Sequence, residues 1–267
     1  MIRVANLHCG YGRPNADRDV LHGIDLIVAR GELVGLLGPN GSGKTTLLLA
    51  ISGLLPARAG KIEVAGVDIA SLTPRQRALS LSCVPQRAEV PPGFTVRELV
   101  LMGRFAHTGM FEDYGPKDFA AVEAALSDAH AGDLAERQAS QLSGGEIQRV
   151  LIARALAQGR ETLLLDEAVS ALDMARRVEA YDLLAALHER GSTILSAVHD
   201  LNLAALYCPR LVFLKAGRVA LDGPTAEIFT EENLKDIYET DIRVGPHPVT
   251  SAPQAHLVPG ARAAALG

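Results

Sequence analysis

Short apolar runs separated by glycine-rich turns set the rhythm of this chain. Residues 1–28 read as strand material: VANLHC alternates, and GIDLIV closes an apolar run before the turn Ala29-Arg30-Gly31. Residues 32–37 form a short run of the kind found in fully buried strands. A glycine-rich loop follows, and then the pattern predicts a helix over about 43–52. Another strand is expected at 61–64. Thr73-Pro74-Arg75-Gln76 carries a helix start, with threonine as cap, proline in the first turn and glutamine three residues on. Residues 81–85 are strand-like. A second capping box, Thr95 with Glu98, opens a stretch of helical periodicity that runs to about 158. Strands at 162–166, 192–198 and 211–214 then alternate with helices at 174–189 and 201–207, the α/β pattern of a largely parallel sheet. A strand at 219–221 and two short helices, the second capped by Thr230, close the domain.

The helical block near 88–160 interrupts this alternation, so it is expected to be a subdomain inserted into a domain spanning 1–243. From 244 to 267 the chain carries four prolines and no helical periodicity, and an extended tail is expected there. The composition adds little to the fold and excludes several functions. With 267 residues, 48% hydrophobic and 21% charged, and a mean hydropathy of +0.15, the chain is long enough for a sizeable core. A net charge of −5 gives no reason to expect nucleic acid as a partner. Cys9, Cys83 and Cys208 are odd in number and far apart, which suits reduced buried thiols better than a disulfide framework or a zinc cluster. The first ten residues lack the basic end and apolar core of a signal peptide, and no run approaches the ~18 apolar residues of a membrane helix. The expectation is a soluble chain that reaches a membrane only through a partner.

Two segments carry chemistry. Gly38, Pro39, Asn40, Gly41, Ser42, Gly43, Lys44, Thr45 and Thr46 fit G-x-x-x-x-G-K-[ST] between a buried strand and a helix. Glycines let backbone N–H groups curl around phosphate oxygens, and the helix N-terminus adds positive partial charge. Lys44 is placed to reach the β- and γ-phosphates and the Thr45 hydroxyl to ligate Mg²⁺. The expected cofactors are therefore ATP and Mg²⁺. The second segment, residues 162–167, is an apolar strand ending in Asp166 and Glu167. An acid there can hold Mg²⁺, and the next one can polarise an attacking water. Alone, such an acid could equally be a helix cap.

Leu142-Ser143-Gly144-Gly145-Glu146, with Gln148-Arg149 and Ala153-Arg154-Ala155-Leu156, resembles the signature segment of ABC-type ATPases. Ser143 and Glu146 by themselves make a capping box, but a cap needs neither glycine. The resemblance covers about 1–243. It implies a P-loop NTPase core of ABC type, with a mostly parallel sheet, an antiparallel N-terminal β-subdomain and the inserted helices. It also implies that Ser143, Gly144, Gly145 and Glu146 contact ATP held by a second copy, in a nucleotide-sandwich dimer. Tyr11 is similar to the aromatic that stacks on adenine. Gln86 resembles the glutamine that senses Mg²⁺, and Ser170-Ala171-Leu172-Asp173 the loop that crosses the dimer interface. His199 matches the switch histidine that contacts the γ-phosphate. The family usually has Pro-Thr after the catalytic glutamate, where this chain has Ala168-Val169.

Residues 100–107, Val-Leu-Met-Gly-Arg-Phe-Ala-His, and 228–234, Ile-Phe-Thr-Glu-Glu-Asn-Leu, look like the branch that serves iron-siderophore, haem and cobalamin importers. The implied partner is a polytopic membrane permease docking near 86–110, with a substrate-binding protein engaged indirectly. The implied location is the cytoplasmic face of the membrane. Gly109-Met110-Phe111 also resembles the manganese/zinc importer branch, an alternative for the cargo. A non-transport relative acting on DNA or ribosomes is the alternative of another class. Such proteins usually carry coiled-coil insertions, zinc modules or paired ATPase units, which this sequence lacks.

Overall fold

The computed structural model describes residues 1–12, 19–86, 90–109, 112–159, 161–169 and 171–259. β1 (Ile2–Gly10) and β2 (Asp19–Val28) pair antiparallel through the alternating segments that suggested strands. The fully buried β3 (Leu33–Leu37) enters the glycine loop, and α1 (Lys44–Ile51) leaves it. β4 (Ala59–Val64) returns beside β1 and turns into the short β5 (Val67–Asp68), completing an antiparallel sheet in the order β2-β1-β4-β5. α2 (Pro74–Ser80) starts at Thr73, whose side chain and that of Gln76 exchange the bonds of a capping box. β6 (Ser82–Val84) follows.

The chain then leaves the sheet. α3 (Val96–Leu101), a 3₁₀ stretch over 102–107, α4 (Pro116–Asp128) and α5 (Gly144–Gln158) build the inserted helices. The capping boxes Thr95/Glu98 and Ser143/Glu146 are both formed. The Gly-Arg-x-x-His element at 103–107 has a packing explanation. A Cβ on Gly103 would lie 2.4 Å from the Arg154 carbonyl oxygen, so only glycine lets the turn touch α5. Arg104 donates to Asp118 and to the Ala157 carbonyl, and the His107 ring bonds the Gln158 carbonyl at 2.6 Å. These bonds tie the turn to α4 and to the C-terminal end of α5.

β7 (Thr162–Asp166), α6 (Met174–Glu189), β8 (Thr193–Ala197), α7 (Leu201–Tyr207) and β9 (Arg210–Lys215) resume the α/β alternation. β10 (Arg218–Pro224) is antiparallel to β9, giving a sheet ordered β10-β9-β3-β8-β7-β6 whose other neighbours are parallel. Alternation along these strands splits the interior. Val34, Leu36, Leu164 and Leu195 join α1 and the antiparallel sheet in one apolar cluster, while Leu33, Leu37, Leu163 and Leu165 join the inserted helices and α6 in another.

α8 (Thr225–Ile228) and α9 (Glu231–Tyr238) lead to β11 (Ile242–Pro246) and β12 (Pro253–Leu257). This corrects the extended tail expected from 244 onward, because β11 and β12 pair as an antiparallel hairpin. Pro246 and Pro253 face each other at its turn end, where a missing N–H disturbs little of the ladder. The hairpin packs on α7 and on Glu231 of α9. Residues 260–267 lie outside the described part. No described helix is long and apolar enough to cross a membrane.

Candidate functional site

The glycine loop hangs between β3 and α1 because its backbone can go where side chains cannot. Gly38 has φ 144, and a Cβ there would sit 2.1 Å from the Leu214 carbonyl oxygen of β9. The residue before α1 is Gly43 (φ 104), and no side chain caps the first N–H groups of the helix. Those amides remain available to an anion. Inside the loop, the buried Ser42 hydroxyl has no hydrogen-bond partner. An orphaned donor beside uncapped amides fits a bound phosphate.

Lys44 is 5% exposed, and its ammonium donates to the carbonyls of Gly38 at 2.8 Å and Pro39 at 3.4 Å. Burial pushes its pKa down, opposed by the nearby Glu167 and Asp166 carboxylates. Asp166 ends β7 beside it. Burial raises its pKa, while a bond from the Thr45 hydroxyl at 3.1 Å pulls the other way. A hydroxyl and a carboxylate side by side are hard oxygen donors of the kind Mg²⁺ takes.

Glu167 is the centre of the second part. Its backbone adopts φ 51, uncommon for a residue with a side chain, and its N–H is fixed to the Ala197 carbonyl of β8 at 3.2 Å. The buried carboxylate takes a bond from Gln86 Nε2 on Oε2 at 2.5 Å, and His199 Nε2 lies 2.6 Å from Oε1. Gln86 follows β6 and His199 follows β8, so three strand ends converge on one carboxylate. Gln86 is thus placed on Glu167 and not on the Thr45–Asp166 pair. The turn that holds Glu167 forms without the proline usual in the resembled family: Ala168 is buried, and Leu172 N–H closes on the Val169 carbonyl at 3.1 Å.

Tyr11 leaves half its surface exposed, and its phenol meets the buried Thr46 hydroxyl at 3.3 Å. Arg58, ion-paired with Asp19, donates to the Tyr11 carbonyl at 2.9 Å and so fixes the aromatic over α1. Sequence reasoning did not single out Arg58, because its partners lie 39 and 47 residues away. Asn40 and Gly41 are exposed at the tip of the loop, and Pro39 is half-buried.

Ser143, Gly144, Gly145 and Glu146 form a separate locus at the mouth of α5. Glu146 accepts from Ser143 N–H at 2.8 Å and from Arg137 at 2.5 Å. The Ser143 bonds, then Arg137, take its carboxyl down to about 2. A Cβ on Gly144 would meet nothing within 4 Å, and one on Gly145 would reach Ala171 and Leu172 only at an ordinary 3.7 Å. Nothing described in this chain requires glycine at either place. Asp173 caps α6 by accepting from Arg176 N–H at 2.9 Å. Ser170 and Met110-Phe111, named in the sequence reading, lie outside the described residues.

A β-strand, an anion-binding glycine loop, a buried lysine and a carboxylate pair at the end of a parallel strand define a P-loop ATPase cassette. Comparison with known proteins narrows the class: the ABC transporter family model matches residues 21–170, and the chain belongs to that family. It is 38% identical over 248 residues to the iron(3+)-hydroxamate import ATP-binding protein FhuC of Bacillus subtilis (strain 168), covering 92% of this chain and 91% of that one. It is 39% identical over 246 residues to the hemin import ATP-binding protein HmuV of Streptomyces coelicolor, covering 92% and 85%. It is also 37% identical over 260 residues to the uncharacterized ABC transporter ATP-binding protein YvrA of Bacillus subtilis (strain 168). That match takes in 97% of this chain, which spans only 58% of the length of YvrA. A solved inward-facing structure described as a metal-chelate type ABC transporter superposes with a TM-score of 0.80 at 30% identity, covering 97% of this chain and 96% of that one. A dimeric bacterial ABC transporter cassette superposes at 0.76 and 29% identity, covering 84% and 99%.

Proposed function

We propose that this chain is the ATP-hydrolysing subunit of a membrane importer for a metal chelate such as an iron-siderophore, haem or cobalamin. It works as a dimer of two copies that sandwich the nucleotide between them. The observation that carries the hydrolytic reading is the convergence of Gln86, Glu167 and His199 beside the phosphate loop. The two-copy reading is supported by Gly144 and Gly145, which have room for a side chain within the chain and so answer to something outside it. The names of the relatives support the cargo class.

In this reading Lys44, the α1 amides and Ser42 hold the phosphates, and Thr45 with Asp166 holds Mg²⁺. When bound there, Mg²⁺ offsets charge on the β- and γ-phosphate oxygens. Glu167 accepts a proton from the attacking water, and His199 and Gln86 fix the direction of its carboxylate. Ser143 and Gly145 of the second copy close the site. The permease docks near 86–110, where Phe105 is 77% exposed and Met102 also shows apolar surface. Attachment to the membrane is peripheral, on the cytoplasmic side.

The test is steady-state Mg-ATP turnover of the full chain with its membrane partner. Glu167→Gln should lower turnover at least roughly a hundredfold and leave nucleotide binding in place. Equal turnover in the variant would sink the assignment. Purification from native membranes in mild detergent should bring down a polytopic membrane protein. Ribosomal or DNA-associated proteins in its place would overturn the importer reading.

A further inference from the structure

His199 is 46% exposed at its side chain, so packing alone does not fix the ring that faces Glu167. Its position depends on the backbone to either side. On one side, Val198 N–H is bonded to the Leu36 carbonyl of β3 at 3.0 Å. On the other, Asp200 caps α7 by accepting from Asn202 and Leu203 N–H at 3.0 and 3.1 Å. α7 is only seven residues long, and a helix this short is marginal without outside support.

That support comes from 53 residues away. The Asn202 side chain forms a reciprocal pair with the backbone of Ala255 in β12: Ala255 N–H donates to Oδ1 at 2.7 Å, and Nδ2 donates to the Ala255 carbonyl at 3.2 Å. The amide thus imitates the edge of a neighbouring strand. Ala255 stands opposite Val244, whose N–H is taken by Glu231 at 3.0 Å. The backbone groups that β12 presents to Asn202 are therefore free of the hairpin's own ladder. An unbroken chain of bonds runs from α9 through β11 and β12 to the first turn of α7, two residues past His199.

We propose that Asn202 is a positioning residue for hydrolysis, and that the C-terminal hairpin is the brace through which it fixes His199 against Glu167. This inference rests on hydrolysis at the Glu167–His199 site. Asn202 touches no reacting atom; it sets where α7 begins and hence where the ring points.

Two full-length variants break the brace from opposite ends. Asn202→Ala removes both bonds. Ala255→Pro removes the N–H given to Asn202 and sets the ring Cδ against Oδ1 in its place, while the ladder to β11 is spared because that N–H takes no part in pairing with β11. Each should lower kcat for Mg-ATP roughly tenfold with the KM for ATP unchanged, since the phosphate loop is untouched. The double variant should be no worse than either single one, because both cut the same link. Asn202→Asp, which keeps the shape but sets a carboxylate oxygen against the Ala255 carbonyl, should not restore kcat. Hydrogen exchange supplies a readout independent of turnover: residues 199–207 should exchange faster in both variants, while 44–51 should not change. Wild-type kcat in either single variant together with unchanged exchange at 199–207 overturns the brace, and multiplicative losses in the double variant do the same. A wild-type chain with no turnover indicts the hydrolytic assignment instead, and the exchange data then decide the brace by themselves.

Discussion

Glycine at the second position of α5 is a choice that the isolated chain does not need, and that makes Gly145→Ala an informative change. Gly145 has ordinary helical backbone, and its added Cβ would find its nearest neighbours, the Ala171 oxygen and a Leu172 methyl, at 3.7 Å. There is no overlap to relieve and no left-handed conformation to strain. Glycine also leaves the unfolded chain more freedom than alanine does, so the substitution should stabilise the protein by about 0.4–1 kcal/mol. For a chain of this size that is a rise of about 1–4 °C in melting temperature. Turnover should move the other way. If the mouth of α5 must press its backbone onto a phosphate of the second copy, one methyl group holds it off, and loss of such a donor costs roughly a hundredfold. The assay pairs calorimetry of the nucleotide-free protein with Mg-ATP hydrolysis, and light scattering of the same variant in a Glu167→Gln background checks for loss of the dimer. A lower melting temperature would show that the fold itself demands the glycine. Turnover within twofold of wild type would remove the reason for reading this helix mouth as half of a shared site.

Three further outcomes follow from the same geometry. Gly38→Ala must force the Leu214 carbonyl aside and hold alanine in a glycine-only conformation, so urea denaturation should show a loss of more than about 3 kcal/mol. Gly41→Ala, with φ 78 and nothing within 4 Å, should lose only about 1–2 kcal/mol. Equal losses would refute the overlap argument. Asp166→Asn should raise the stability of the nucleotide-free protein at neutral pH and abolish Mg-ATP turnover. The sign follows from burial, which raises the folded-state pKa: the ionised carboxylate disfavours the folded state once pH exceeds that value. The gain should therefore shrink as pH falls and vanish below the ordinary value of 3.8. A gain that persists there would mean that charge is not the cause.

The sequence made local structure legible wherever one short stretch contains its own explanation. The apolar run before Gly38 is β3, the helix expected at about 43–52 is α1 at 44–51, and all three capping boxes formed. Strand order was not legible, since β3 takes β8 and β9 as neighbours from the far half of the chain. The roles of Glu167 and His199 came from family resemblance; the bond from Gln86 to Glu167 did not, since the resemblance sets Gln86 on Mg²⁺, and no local pattern announces it. The hairpin was missed for a definite reason: its residues alternate poorly and its prolines read as breakers, whereas at the turn end they are harmless. Asn202 was invisible as an anchor because its partner is a backbone, which carries no residue-type signal.

The inserted helices do not own a separate interior. Val96, Leu99, Val122, Leu126 and Leu134 belong to the same apolar cluster as Leu163 and Leu165 of β7 and Tyr181 of α6. A close-packed interior is nearly incompressible, so a push applied at one end of such a body emerges at the other instead of being soaked up on the way. Mechanically, α5 is a pushrod: its mouth faces the proposed shared nucleotide, and its far end is bolted by Arg104 and His107 to the 102–107 turn. A displacement at the mouth would reach that turn with little lost inside the shared cluster.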